Sequence, residues 1–266
     1  MFTLYCDNGL STQVDQNRFP DNTLLVKLPE QYVHTVVWNY ENDAELFTLI
    51  CIRRHYEMCD MKLVLPYIPH ARMDRVKASD DVFTLKYFCE IINSLNFNEV
   101  VVLDAHSNVS LALLDRVYQE PVDACIMNVF RELDCSNLLL FFPDEGAMKR
   151  YAGQFNMPYA FGMKKRDWAT GKILGLDLVN GDLVKNRDIL IIDDICSRGG
   201  TFLHSARALK EAGAKDVYLY VTHAEDTMVE GEMYNDPDLV KHIYTTNSIF
   251  HKNYDALNKV TVLENW

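Results

Sequence analysis

The chain predicts an α/β fold with mainly parallel sheets flanked by helices, and three observations carry that prediction. The first is a repeated pattern in which a short apolar strand ends in acidic residues or histidine and runs into a loop: EVVVLDAH (99–106), NLLLFFPDEG (137–146), DILIIDDI (188–195) and DVYLYVTHAED (216–226). The second is helical periodicity between such stretches, as in DVFTLKYFCEIINSLN (81–96) and GAMKRYAGQF (146–155). Strands alternating with amphipathic helices are the mark of βαβ units. The third is the unbroken apolar run from Ile189 to Ile192, which suits a strand buried on both faces.

The alternation extends over two halves. With 266 residues and 48% hydrophobic content, the chain can fill two domains of ordinary size. We place their boundary in EPVDACIMN (120–128), which gives domains 1–124 and 125–266. The formal net charge of −12 argues against a broad surface for a phosphate backbone, so no nucleic-acid partner is expected and an anionic ligand must be held locally. No apolar run reaches the length of about 18 residues needed for a span, and MFTLYCDNGL has no basic flank before an apolar core; no membrane is expected, and a cytoplasmic location is. Seven cysteines, at 6, 51, 59, 89, 125, 135 and 196, form no C-x-x-C pair and read as buried reduced thiols. Cys196 stands inside a candidate site but reads as a small space-filling residue, because no histidine neighbours it in sequence to activate it.

That candidate site is ILIIDDICSRGGTF (189–202). Thr201 to Ala212 carries apolar residues at helical spacing up to Gly213, so the stretch between strand and helix is a turn. Gly199 and Gly200 permit a bend that points N–H groups at an anion, and the helix presents its positive end to the same spot. Asp193 and Asp194 at the mouth repel an anion but suit a sugar diol, whose two hydroxyls donate to ionised carboxylates. A 5-phosphorylated ribose satisfies both ends, with phosphate in the turn and its 2- and 3-hydroxyls on the acids. Acids after a strand also simply cap helices or make turns.

DDICSRGGT resembles the phosphoribosyl diphosphate (PRPP) motif shared by phosphoribosyltransferases and the ribose-phosphate diphosphokinases, or PRPP synthetases. PYIPHARMDR (66–75) is similar to the synthetases' PY-x-x-YARQDR, LDAH to their DLH metal motif, and FPDEGAMKR to their S-P-D-x-G segment. KKR (164–166) falls where they carry a mobile KRR loop, KEAGAKDVYLYVTH resembles the region after their ribose loop, and TTNSI (245–249) resembles their TNTI. The resemblance implies two phosphoribosyltransferase-like domains and transfer of the β,γ-diphosphoryl group of ATP to the anomeric hydroxyl of a 5-phosphorylated ribose. It implies ATP contacts from Phe19, Asp21, Arg72 and Asp74, Mg²⁺ as cofactor at His106 and Asp144, and catalysis by Lys164 and Arg166. Asp193 and Asp194 would hold the acceptor ribose, and Ser197, Arg198, Gly199, Gly200 and Thr201 its phosphate. On first principles His106 is the less comfortable Mg²⁺ ligand, because that ion prefers oxygen. KKRDWATGK also has the composition of a solvated surface loop.

The departures carry information too. The synthetases' F-x-D-G-E segment, which reaches a neighbouring subunit's nucleotide, appears here as FPDNT, with Thr23 in place of the glutamate, and Met73 replaces a glutamine. VKASDDVFT lacks the basic residues of the family's regulatory phosphate site. A homodimer or higher homo-oligomer is expected, with a dimer the simplest form. Where the synthetases read D-T-A-G-T, this chain reads Ser197-Arg198-Gly199-Gly200-Thr201, which makes the loop more cationic by one acid lost and one base gained. That excess fits an acceptor with a second phosphate, such as ADP-ribose, as well as ribose 5-phosphate; loop drift with Arg198 in water is the plainer alternative. A phosphoribosyltransferase consuming PRPP, or a non-catalytic regulatory relative of the synthetases, are the other function classes.

Overall fold

The computed structural model describes residues 1–166, 173–252 and 257–264, leaving aside the side chains of 164–166 and 173–175. The chain separates into two compact units, the first ending at Pro121 and the second starting at Val122. The division falls just before helix α4 (Asp123–Glu132), so a boundary at 124/125 lies inside that helix's first turn.

The first unit holds a sheet in the order β2-β1-β5-β6-β7-β8. Strands β5 (Val33–Trp38), β6 (Lys62–Leu65), β7 (Glu99–Leu103) and β8 (Val117–Glu120) run parallel, in the register Val36↔Leu63, Leu63↔Val100 and Val100↔Val117. β1 (Phe2–Cys6) pairs antiparallel with β5 and with β2 (Ser11–Gln13). The turn between β1 and β2 needs Gly9, whose φ of 76° is left-handed, and the Asn8 side chain accepts the Leu10 N–H at 3.0 Å. A separate hairpin pairs β3 (Asp15–Arg18) with β4 (Leu24–Lys27). Helices α1 (Glu45–His55), α2 (Thr84–Ser94) and α3 (Asn108–Leu113) accompany the parallel strands. Periodicity predicts a helix over 81–96, but Asp81 accepts the N–H groups of Lys77 and Ala78 at 2.8 and 2.9 Å, which closes a turn before the helix can start. Trp38, Phe2, Leu49, Leu63 and Val102 lie fully buried in one core.

The second unit holds a sheet in the order β11-β10-β9-β12-β13-β14-β15. β9 (Leu138–Phe142), β10 (Tyr159–Arg166), β12 (Asp188–Cys196), β13 (Val217–Ala224), β14 (His242–Thr246) and β15 (Val260–Leu263) are parallel; β11 (Ile173–Val179) is antiparallel to β10. The apolar run 189–192 is the middle of a longer strand. β12 continues to Cys196 because its neighbour β13 also continues, in the register Cys196↔Ala224. α5 (Glu145–Tyr151) tightens into a 3₁₀ turn through Gln154, and α6 (Gly200–Glu211) buries Phe202, Ala206 and Leu209 in the same core as Ile189, Ile191 and Leu219. α7 (Glu232–Asn235) is a single turn. Among the described residues no helix is long and apolar enough to cross a membrane.

Candidate active site at the strand ends

The strand order selects the location. From β9 the chain moves first to β10 on one side, and later to β12 on the other, so the order reverses between β9 and β12. In an open parallel sheet that reversal leaves a crevice beyond the carboxyl ends of the two strands, where ligands bind. Asp144 follows β9, and Asp193 and Asp194 are on the last turns of the pleat in β12. In the first unit β5 to β8 follow one another in one direction, with no such reversal.

Asp144 caps α5, its Oδ1 accepting the Ala147 N–H at 3.1 Å. Asp193 and Asp194 are adjacent on a strand, so the pleat gives them different surroundings. Asp194 is buried, with Oδ2 3.4 Å from Nη1 of Arg150 on α5. Arg150 also lies over the Tyr151 ring, 5.6 Å from its centroid. Asp193 is half-buried and accepts the Asp194 N–H on Oδ1 at 3.0 Å. Burial, followed by the neighbouring Asp194 charge, pushes its carboxyl well above the usual carboxylate range, with Asp144 adding to the repulsion. The crevice is thus a concentration of acid that takes up protons by itself and can instead accept hydroxyl hydrogen bonds or share a cation. Arg150 was not singled out from sequence; FPDEGAMKR contains it, but only the helix brings it onto Asp194.

Beyond the acids the loop makes its bend at one residue. Gly199 has φ of 76°, is buried, and precedes α6, whereas Gly200 is exposed and has open space where a side chain would stand. A Cβ on Gly199 would sit 2.7 Å from Met233 Cε. Gly200 and Thr201 form the exposed first turn of a twelve-residue helix, whose unpaired N–H groups favour an anion. Ser197 Oγ lies 3.3 Å from Thr227 Oγ1, and Glu225 N–H donates to the Cys196 carbonyl at 2.8 Å. Arg198 is exposed but not isolated, since its Nη2 is 3.3 Å from Glu230 Oε2. Cys196 is 1% exposed, and burial, then Glu225 and Asp193, push its thiol up, so it is an inert filler of the turn. All seven cysteines are free, but only Cys6, Cys89, Cys125 and Cys196 are buried; Cys51 and Cys59 are half-buried and Cys135 is exposed.

Gly231 makes the closest approach to this loop. A side chain there would run into the carbonyl oxygen of Arg198 and crowd the Met228 carbonyl at 3.3 Å. Gly231→Ala is therefore expected to destabilise the protein by about 1–3 kcal/mol, read as a lowered urea midpoint at unchanged slope.

Lys164 and Arg166 are on β10 by their backbone, not in a loop, and their side chains lie outside the described residues, as does all of 167–172. Tyr159 to Phe161 pair with β9, but Gly162 to Arg166 pair only with β11, so this end of β10 extends past β9. Because β10 and β9 are parallel, the extension leaves the sheet at the edge that carries Asp144. TTNSI is the end of β14 and the turn after it, tied to β13: Thr246 Oγ1 donates to the Thr222 carbonyl at 2.7 Å and Ser248 Oγ lies 2.8 Å from His223 Nδ1, all buried, which marks a structural clamp.

The remaining predicted residues belong to the first unit. β6 and β7 are parallel neighbours, so their carboxyl ends bring 66–75 and 104–106 to one edge. After β6, Tyr67 to Pro69 are buried, His70 takes φ of 63°, Arg72 is exposed, and Asp74 Oδ1 lies 3.4 Å from Arg75 Nε. Asp104 ends β7 in a left-handed turn (φ 43°), and His106 follows, half-buried. Phe19 and Asp21 are on the exposed tip between β3 and β4; the Thr23 hydroxyl at 2.7 Å and N–H at 3.0 Å hold the Asp21 carboxyl below the usual range. Thr23, which replaces the family's glutamate, therefore serves the turn.

Among the described residues no three His, Cys, Asp or Glu side chains are gathered as a metal cage. His106 belongs to the first unit and Asp144 to the second, and a carboxylate such as Asp144 is the donor type that suits Mg²⁺, which is commonly held largely by substrate oxygens and water beside a polyphosphate.

Two parallel-sheet units, the second with acids and a glycine turn at its switch point, define a phosphoribosyl-type α/β protein. The phosphoribosyl transferase domain family matches residues 148–257. A ribose-phosphate pyrophosphokinase of Pyrococcus abyssi is 28% identical over 255 residues, covering 91% of this chain and 86% of the relative. That of Haemophilus ducreyi is 25% identical, covering 97% and 81%. The crystal structure of phosphoribosylpyrophosphate synthetase from Mycobacterium smegmatis superposes with a TM-score of 0.77 at 18% identity, covering 95% of this chain and 86% of that one, and so shares the fold. The chain is thus similar to ribose-phosphate pyrophosphokinases along nearly its whole length.

Proposed function

We propose that the protein is an ATP-dependent diphosphokinase that forms PRPP from ribose 5-phosphate and releases AMP. The observation that supports this most is the convergence of Asp144, Asp193, Asp194 and the Gly199 turn at the reversal between β9 and β12. In this reading the turn and the first N–H groups of α6 bind the 5-phosphate, with Ser197 and Thr201 contributing hydroxyls. Asp193 and Asp194 accept the ribose hydroxyls and fix the anomeric oxygen in line with the β-phosphorus of ATP. Arg150, 3.4 Å from Asp194 Oδ2, pairs with that carboxylate and steadies it for that purpose. The anomeric oxygen bonds to the β-phosphorus, its proton is released, and the bond to the oxygen bridging the α- and β-phosphates breaks, its electron pair leaving with AMP. Lys164 and Arg166 balance the charge that builds on the transferring group. His106 and Asp144 are the residues that would donate to Mg²⁺, which would supply charge neutralisation on the polyphosphate.

Arg72 and Asp74 contact ATP in this scheme. Phe19 and Asp21, at an exposed hairpin tip, reach the nucleotide of a second copy in a homodimer or larger homo-oligomer. Seven free cysteines accord with a reducing cytoplasm. AMP release that requires Mg²⁺, ATP and ribose 5-phosphate together tests the assignment. Consumption of PRPP with a nucleobase would instead mark a phosphoribosyltransferase, and inertness with both a regulatory relative.

ADP-ribose is the second acceptor to test, and Arg198 is the observation that favours it. Its side chain is 73% exposed, so a ligand with a phosphate beyond the cradle can reach it. Offering both acceptors at equal concentration and weighing the products decides between them; conversion of ribose 5-phosphate alone sinks the extended acceptor.

A further inference from the structure

We propose that Glu230 is a positioning residue that sets how much positive charge the acceptor loop offers, by holding Arg198 away from the acceptor's phosphate. The inference rests on the acceptor reading above and deepens it. The loop 196–199 is backed along its length by one later segment. Glu225 N–H donates to the Cys196 carbonyl at 2.8 Å, Thr227 Oγ1 meets Ser197 Oγ at 3.3 Å, the backbone of Gly231 packs on the Arg198 carbonyl, and Met233 fills the space beside Gly199. Glu230 directly precedes Gly231, so the backbone contact brings its carboxylate to Arg198, whose Nη2 it meets at 3.3 Å. Two long side chains are thus paired by the backbone beneath them rather than by a chance meeting in solvent.

Stability does not account for this pair. With Arg198 73% and Glu230 52% exposed and one contact between them, it contributes only about 0–1 kcal/mol to folding. Its effect is on charge. The arginine that makes the loop cationic is matched by a carboxylate on the backing segment, so an arriving phosphate meets the backbone cradle and a nearly neutral pair. Arg198 becomes available only to a ligand whose own anion displaces Glu230. A monophosphate seated in the cradle gains little from that exchange, and a second phosphate farther out gains more.

Glu230→Gln keeps the side chain's shape and removes the competitor. Its KM for ribose 5-phosphate is expected to fall about threefold and that for ADP-ribose by about tenfold, with kcat within about twofold, and both changes should shrink at high salt. In an Arg198→Gln background the same substitution should change neither KM, because its effect runs through the arginine. An unchanged KM, or an equal change in both backgrounds, overturns the inference while leaving the acceptor reading intact. A wild-type protein that releases no AMP with either acceptor overturns the acceptor reading itself.

Discussion

Alanine at both Lys164 and Arg166 is expected to lower the maximal rate of AMP release by about 10²-fold or more. The acceptor KM should move by less than about threefold, since in the proposed reaction the acceptor is held by groups on β12 and α6 and the two cations act on charge that develops later. The chain makes the effect large. Its formal net charge is −12, and three acids crowd the crevice, so a diphosphoryl group in transfer depends on whatever cations the β10 extension delivers. Steady-state kinetics on the single and double variants check this, with circular dichroism as the control for folding. Equal losses in rate and acceptor affinity would show that the two residues serve structure.

The two aspartates should respond in opposite ways to the same conservative change. Asp194→Asn removes the buried partner of Arg150 and is expected to cost about 1–3 kcal/mol of stability. Asp193→Asn should raise stability at neutral pH, because it removes a charge that burial and Asp194 disfavour. The sign follows from linkage. With a folded-state pKa raised above the unfolded value of about 3.9, the folded protein binds more protons, so the wild type loses stability as pH rises from there through the raised pKa. Asp193→Asn should flatten that loss. Each variant should also weaken acceptor binding by about 1.5–3 kcal/mol for each charged hydrogen bond removed. Urea denaturation across the acid-to-neutral range, beside acceptor KM, separates the two effects; a wild-type stability that rises with pH through this window as steeply as in Asp193→Asn would refute the assignment.

What could be read in the sequence was whatever is local. Each strand of the repeated pattern exists, as β7, β9, β12 and β13, because runs such as Leu138–Phe142 are apolar enough for burial on both faces. The bend in the glycine turn was legible too, although it resides in Gly199 alone. Where β12 ends was not legible, because Asp193 and Asp194 look like loop residues until β13 is known to run beside them. The partners of Asp194 and Arg198 were hidden for the same reason: Arg150 and Glu230 are brought to them by packing, and no periodicity announces a contact 44 or 32 residues away. The antiparallel pairing of β10 with β11 likewise depends on register, and it turns KKR from a loop into a strand end.

The tight seat of Gly231 on the Arg198 carbonyl limits how this site can be rebuilt. The DDICSRGGT stretch looks portable, a short cassette between a strand and a helix. Its curvature is nevertheless moulded by Glu225 to Met233, which comes after α6 and β13. Transplanting the cassette alone into another scaffold would leave Gly199 without its methionine and Arg198 without its counterweight. The smallest graft that carries the loop's shape with it is therefore two segments, cut from β12 and from beyond β13 and moved together.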